Sequence, residues 1–309
     1  MATEAAAATP LLNFKGVEIV DTFAEAFPIK SARLIITAAN QRWAATAAAV
    51  LCGNATSVIA CDVEAAVECE VPESETPDGR PGISVLAFGF NTEGLEKALQ
   101  NRVGQCVLTC PTTACYNGLL DAPKDKQIRI GGGIRYFGDG YQRSKKIGDR
   151  RFWRIPVMDG EFVCEDRFGT VTGVAGGNLL ICGRRGAATL AAAEAAVAAI
   201  QTGRDVALPF PGGIVRSGSK VGARSYAKLK ASTNDAYCPT LRSRVPSELP
   251  ANCRAVYEIV VDGLSFDAVR DAMQRGLRAA AAMPEVLRIT AGNYGGKLGK
   301  HHIHLRTLL

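Results

Sequence analysis

The sequence predicts an α+β protein of two ferredoxin-like (split βαβ) lobes, spanning residues 1–158 and 159–309. Three observations carry that expectation. Apolar runs of strand length alternate with alanine-rich or amphipathic runs of helix length. The strand–helix–strand rhythm recurs in both halves of the chain. Turn-forming Gly, Pro and Asp-Gly fall between the runs.

In chain order, "MATEAAAATPLLNF" (1–14) has no basic leader and no sustained apolar stretch, so it reads as a frayed tail and not a signal peptide. "RLIITAA" (33–39), "NQRWAATAAAVLCG" (40–53) and "TSVIACDVE" (56–64) read as strand, helix closed by Gly53, and strand. A loop, "VPESETPDGRPG" (71–82), leads to the strand "ISVLAFGF" (83–90). The helix "TEGLEKALQNRVGQ" (92–105) follows, with Thr92 as its cap, and then the strand "CVLTC" (106–110).

The second half opens with two strands around an Asp-Gly turn at 159–160, within "FWRIPVMDGEFVCEDRF" (152–168). "NLLICG" (178–183) is a strand, and "GAATLAAAEAAVAAIQTG" (186–203) is the strongest helix in the chain. After an irregular middle come the strand "AVYEIVVDG" (255–263) and the amphipathic helix "SFDAVRDAMQRGLRAAAAM" (265–283). "EVLRITAG" (285–292) and "KHHIHLRTLL" (300–309) read as strands joined by "NYGGKLG". "GVAGGNLLI" (173–181) and "TAGNYGGKL" (290–298) echo each other, both placing glycines around an asparagine beside a strand.

With 309 residues and 47% hydrophobic content, the chain has material for sizeable cores. No charge-free stretch is long enough to span a membrane. The ten cysteines form no Cys-x-x-Cys pair, which favours free thiols on buried elements over a metal or iron–sulfur site and points to a reducing, cytoplasmic setting. Residues 1–200 carry 20 basic and 22 acidic side chains and residues 201–309 carry 16 and 8, so all the positive excess lies in the last third. No basic run interleaves with aromatics, so nucleic acid is not an expected partner; a small molecule with an anionic tail is. No P-loop and no Gly-x-Gly-x-x-Gly is present. The three histidines cluster in "HHIH" (301–304), where a metal would need a further ligand from elsewhere.

In the strand 255–263, Glu258 stands among apolar residues on both faces, well inside the strand, with Asp262 only at its end. Such a residue is either a rim or salt-bridged glutamate or one kept for chemistry. Residues 216–230 contain Arg216, Lys220, Arg224, Lys228 and Lys230 and no acid, and any helical part would stack the first four on one face. This is either a solvated basic face or a seat for anions. "PFPGG" (209–213) reads as a rigid turn with free backbone N–H groups, and "STND" (232–235) offers short polar side chains or a capped turn.

Seven long stretches are distinctive: "GVEIVDTFAEAFPIKSARLIITAA" (16–39), "ETPDGRPG" (75–82), "YFGDGYQ" (136–142), "GTVTGVAGGN" (169–178), "PFPGGIVRSGSKVG" (209–222), "ASTNDAYCPT" (231–240) and "GNYGGKLG" (292–299). Together they resemble the formylmethanofuran–tetrahydromethanopterin formyltransferases, from about residue 16 to the C-terminus. The resemblance implies two ferredoxin-like lobes and an enzyme with no metal or tightly bound cofactor. Its co-substrates are methanofuran (or methylofuran) and tetrahydromethanopterin, between which a formyl group moves. It also implies a homo-oligomer, dimer or tetramer, in the cytoplasm. The basic balance, the alanine-rich start and the cysteines point to the bacterial branch, which serves formaldehyde oxidation in methylotrophs alongside other subunits of a formyltransferase/hydrolase complex. The family's catalytic carboxyl matches Glu258. A neutral carboxylic acid there donates to the oxyanion of a tetrahedral intermediate. Lys220, Ser232, Thr233 and Asn234 are the candidate substrate-binding residues, because the carriers end in carboxylates. The alternative is a scaffold subunit of a formyl-hydrolysing complex, without chemistry of its own.

Overall fold

The computed structural model describes residues 10–309. The N-terminal half runs β1 (Leu11–Phe14), β2 (Val17–Val20), β3 (Phe23–Thr37), α1 (Gln41–Leu51), β4 (Glu64–Val71), β5 (Gly82–Gly89), α2 (Thr92–Arg102), β6 (Ala114–Asn117), β7 (Gln127–Ile128), α3 (Gly131–Ile134), β8 (Arg143–Ile147) and β9 (Arg150–Val157). The rest runs β10 (Gly160–Glu165), β11 (Phe168–Gly183), α4 (Gly186–Ile200), β12 (Val206–Ala207), β13 (Lys220–Val221), β14 (Ala231–Ser232), β15 (Ala255–Gly263), α5 (Phe266–Ala281), β16 (Val286–Thr290) and β17 (His301–His304).

Two long strands organise the molecule. β3 and β11 pair antiparallel through their middles, Ala32 against Thr170 to Phe27 against Ala175. Beyond that crossing each strand enters a different half of the sheet. The C-terminal part of β3 lies between β5 and β6, giving the order β4-β5-β3-β6 with all neighbours antiparallel. The C-terminal part of β11 lies between β15 and β16, giving the order β12-β15-β11-β16, again antiparallel.

Each set of strands carries its two helices on one face. Against the first set, Ala44, Ala48 and Leu51 of α1 and Leu95 and Leu99 of α2 pack on Leu34, Ile36 and Val85. Against the second, Ala192, Ala196 and Ile200 of α4 and Met273 and Leu277 of α5 pack on Leu179, Ile181, Ile259 and Val261. Each fully buried Leu, Ile or Phe contributes about 1.5–3 kcal/mol. Ser265 caps α5 by accepting from the Ala268 N–H at 3.2 Å. Core membership does not follow the chain strictly: Phe162, Cys164 and Phe168 join the first core, and Val17, Ile19, Ala24 and Ala26 the second.

The structure corrects several sequence expectations. Leu11–Phe14 is no frayed tail: it is β1, paired antiparallel with β2, while residues 1–9 lie outside the described residues. Residues 56–63 turn back on themselves, with Cys61 N–H bonded to Ser57 O at 2.7 Å, and the strand is Glu64–Val71 instead. Asn91, not Thr92, caps α2: its side chain accepts from the Gly94 N–H at 2.7 Å. "CVLTC" is not a strand; α2 runs into a π-helical turn, 103–107, that buries Val103 and Val107, and the strand comes later as Ala114–Asn117. Residues 300–309 form only a short strand, 301–304, which pairs with β3 and not with β16. All ten cysteines are free thiols. Among the described residues no helix is long and apolar enough to cross a membrane.

The two halves of the sheet also meet through acids. Arg33 of β3 donates to both oxygens of Glu68 on β4 (2.8 and 2.7 Å) and to Asp205, and Glu68 accepts from the Asp205 N–H at 2.7 Å. Asp262 of β15 is fully buried beside Glu64 of β4, and its Oδ1 accepts from the Gly176 N–H at 2.9 Å. Burial and the Glu64 carboxylate push Asp262 well above the ordinary carboxylate range. Its buried Oδ2 has no donor pointing at it. A proton retained on Asp262 and donated to Glu64 satisfies both groups.

Candidate active site

β15 is an interior strand, as its apolar faces predicted, but those faces differ. Ile259 and Val261 meet α4 and α5. Val256, Glu258 and Val260 look the other way and are only half-buried, because the irregular segment after α4 covers that face incompletely. Glu258 stands opposite Leu180 of β11, which stands opposite Thr290 of β16. On its other side its backbone pairs with Val215: Val215 N–H donates to Glu258 O at 2.7 Å, and Glu258 N–H donates to Val215 O at 3.0 Å. Among the described residues nothing hydrogen-bonds its carboxyl, and burial pushes it up to about 7. A carboxyl in this state is half protonated near neutral pH and has a free O–H to give.

Beside Glu258 lies the loop 292–299. Asn178 anchors its start, accepting from the Gly292 N–H at 2.6 Å and donating to Gly292 O at 3.2 Å. The echoing stretches 173–181 and 290–298 are thus physically joined. Glu25 anchors the rest: its carboxylate accepts from the N–H groups of Tyr294 (2.6 Å), Gly296 (2.9 Å), Leu298 (2.7 Å) and Gly299 (2.6 Å). Glu25 is 1% exposed. Burial alone raises its pKa, but those four N–H groups outweigh it and hold the carboxyl at about 2. The glycines follow from this wrap. Gly295 and Gly296 take left-handed φ angles of 71° and 72°, and a Cβ on Gly299 would come within 2.6 Å of Ala26 O.

The binding candidates form a second group. Residues 216–230 are not helical: β13 and β14 make a small hairpin, Lys220 opposite Ser232, so the basic side chains do not stack at helical spacing. Lys220, Ser232 and Thr233 line one cavity of about 260 Å³ together with Arg224, Asp235 and Arg244. Lys220 is ion-paired with Asp235 at 2.6 Å, an acid just beyond the basic stretch. Ser232 Oγ donates to Gly222 O at 2.7 Å, and Thr233 Oγ1 lies 3.4 Å from Cys238 Sγ. Asn234 is half-buried and does not line that cavity, and neither does Glu258. The N–H groups of Gly213 and Ile214 are not free as expected: they donate to Phe210 O (2.8 Å) and Pro211 O (3.2 Å). The chain from Val215 to Lys220 nevertheless leads from Glu258 to the basic cavity.

Among the described residues no group of three or more His, Cys, Asp or Glu is arranged to hold a metal ion. The histidines pack instead on aromatics, His302 and His304 with ring centroids 4.6 and 5.3 Å from Phe23, and His301 5.6 Å from Phe266. Sequence reasoning missed Glu25, Asn178 and Asp262 in this region. Glu25 carried the signal that marked Glu258, a lone acid in an apolar strand ("FAEAF", 23–27).

Comparison with known proteins bears on the whole chain. The family model described as formylmethanofuran-tetrahydromethanopterin formyltransferase matches residues 12–157, and the model described as FTR, proximal lobe, matches residues 160–308. A subunit of the formyltransferase/hydrolase complex from Methylorubrum extorquens is 53% identical over 306 residues, covering 96% of this chain and 97% of that protein. A formylmethanofuran–tetrahydromethanopterin formyltransferase from Methylococcus capsulatus is 51% identical, covering 95% and 98%. The solved structure of the formylmethanofuran:tetrahydromethanopterin formyltransferase from Methanosarcina barkeri superposes with a TM-score of 0.91 at 48% identity, covering 96% of this chain and 100% of that one. The formyltransferase/hydrolase complex from Methylorubrum extorquens, solved with methylofuran, gives a TM-score of 0.93 at 51% identity, covering 97% and 99%. The chain therefore belongs to the formylmethanofuran-tetrahydromethanopterin formyltransferase family.

Proposed function

We propose that this chain transfers a formyl group between the amine of methanofuran or methylofuran and a nitrogen of tetrahydromethanopterin, with Glu258 as the catalytic carboxyl. The acceptor nitrogen attacks the formyl carbon, a C–N bond forms, and negative charge grows on the formyl oxygen. Glu258, protonated, donates to that oxygen. The intermediate then collapses, the original C–N bond breaks, Glu258 retains its proton, and the donor amine leaves with the proton that the attacking nitrogen gives up. One oxyanion donor of this kind is worth about 10²–10³ in kcat. The observation that carries the reading is a half-buried carboxyl on an interior strand, with no hydrogen-bond partner among the described residues, that burial pushes up to about 7. A non-catalytic scaffold has no need of such a group.

Lys220, with Arg224 and Arg244 in the same cavity, supplies positive charge for the carriers' anionic tails. Ser232, Thr233 and Asn234 supply polar atoms beside it, Ser232 and Thr233 after exchanging their present partners. The fold we infer is two ferredoxin-like lobes, 1–158 and 159–309. Its support is the strand order of each half, with the first strand of each set between the third and the fourth. The name of the Methylorubrum relative supports association with other subunits of a formyltransferase/hydrolase complex, and with it a role in methylotrophic one-carbon metabolism. A dimer or tetramer and a cytoplasmic setting, which the free thiols fit, complete the proposal.

The test is purified chain given formylmethanofuran and tetrahydromethanopterin, with formyl-tetrahydromethanopterin as the measured product. Turnover is expected without added metal or prosthetic group. Protein that is folded but produces none would return the scaffold reading.

A further inference from the structure

Three features converge on the loop 292–299. First, Asn178 and Glu25 hold it by six hydrogen bonds, four of them to a carboxylate that is 1% exposed. Bonds to a charged acceptor are the stronger kind. A surface loop of eight residues, four of them the glycines 292, 295, 296 and 299, needs such an anchor to keep one shape. Second, the loop leaves β16 after Thr290, in the row Glu258–Leu180–Thr290, and Asn178, which holds it, shares a sheet face with Leu180 and Glu258. Third, the loop carries Tyr294, packed on one side against Phe27 (ring centroids 6.1 Å) and 40% exposed on the other. Burial, then the charges of Glu258 and Glu25, push its phenol up, so Tyr294 lies within electrostatic reach of both acids.

We propose that Glu25 is a positioning residue for formyl transfer: it fixes the loop 292–299 so that Tyr294 shields the Glu258 carboxyl from water. This rests on the reading of Glu258 as the neutral donor. Desolvation is what raises Glu258, and in this proposal Tyr294 with its loop supplies one wall of it. An ionised Glu25 is what the loop N–H groups require. A glutamine there keeps one acceptor oxygen but turns an NH₂ toward N–H groups that need an acceptor, and the loop loosens.

The experiment compares pH profiles of kcat/KM for wild type, Glu25→Gln, Tyr294→Ala and Tyr294→Phe, with formylmethanofuran and tetrahydromethanopterin as substrates. In wild type the activity falls as pH rises through the Glu258 titration. Glu25→Gln and Tyr294→Ala each let water in, so this limb is expected to move down by about one pH unit, with roughly a fivefold loss at pH 7. Tyr294→Phe keeps the ring and restores the wild-type limb. Val85→Ala, in the other core, loses stability without moving the limb. If Glu25→Gln does not fold, Tyr294→Ala decides alone. Glu258→Gln separates the two failures. If it keeps the wild-type limb, the reading of Glu258 fails and this proposal with it. If it abolishes the limb while Tyr294→Ala leaves the limb where it was, only the proposal is overturned.

Discussion

Glu25 and Glu258 are glutamates on two strands that both pair with β11, and their carboxyls are shifted in opposite directions. Glu25 is covered by the loop 292–299 and is the less exposed of the two, and it stays ionised at about 2 because four backbone N–H groups point at it. Glu258 keeps more solvent exposure, but burial among the surrounding protein desolvates it and pushes it up to about 7, and among the described residues no group donates to its carboxyl to offset that. Exposure alone therefore does not set protonation; the balance of desolvation against hydrogen-bond donors does. Asp262 adds the effect of a neighbouring acid. It is fully buried with one donor, Gly176 N–H, for two oxygens, and the neighbouring Glu64 makes a retained proton useful.

The largest expected effect is at Glu258. Glu258→Ala should lower kcat by about 10²–10³, roughly 2.7–4 kcal/mol, as for loss of one oxyanion donor. Glu258→Gln retains an N–H donor and should keep more activity than alanine. If glutamine proves as poor as alanine, the residue works as a base, since an amide takes no proton at neutral pH.

At Glu25 the effect should fall on stability. Glu25→Ala orphans four N–H groups, and a loss of about 3 kcal/mol in chemical denaturation is expected. The sign with pH follows from the lowered pKa. The Glu25 contribution is complete above the unfolded value of 4.5 and is lost as pH falls from there toward about 2. Denaturation midpoints between pH 6 and pH 3 should converge for wild type and Glu25→Ala. Parallel curves would contradict the account of the loop.

Lys220 tests an ion-paired carboxylate against these desolvated ones. Its ammonium holds Asp235 below the usual carboxylate range. Lys220→Glu sets two acids together in the basic cavity and should raise KM for at least one carrier several-fold with little change in kcat. The effect should shrink in high salt, because the pair is partly exposed.

The smallest effect is expected at Asp262. Asp262→Asn supplies an N–H donor to Glu64 in place of the retained proton, so stability at pH 7 should change by less than about 1 kcal/mol. Wild type should lose stability as pH rises above the ordinary carboxylate range, because the folded state keeps a proton that the unfolded state releases. Asp262→Asn should flatten that slope, as urea midpoints from pH 5 to 9 would reveal.

These four acids also mark what was legible in the sequence. The helices 186–200 and 266–281 and the strands 82–89 and 255–263 were readable because period and composition agree within each segment. The strand 64–71 was not: Glu64 and Glu68 interrupt its apolar run, and their partners Asp262, Arg33 and Asp205 are distant in sequence. "CVLTC" looked like a strand from its β-branched and apolar residues, and only packing against the first core turns that stretch into a π-helical turn. In the candidate site, Glu258 was singled out from the sequence and Glu25 was passed over, although both are acids set among apolar strand residues. Their difference lies in a glycine-rich loop some 270 residues from Glu25, whose N–H groups no local pattern can assign.

The protonation state of Glu258 itself is the central claim, and difference infrared spectroscopy of the wild type against Glu258→Gln reads it directly. The carboxylic acid C=O band should be present at pH 6, disappear with a midpoint near 7, and be replaced by carboxylate bands at higher pH. A Glu258 that is already fully ionised at pH 6, in folded and active protein, would contradict the account.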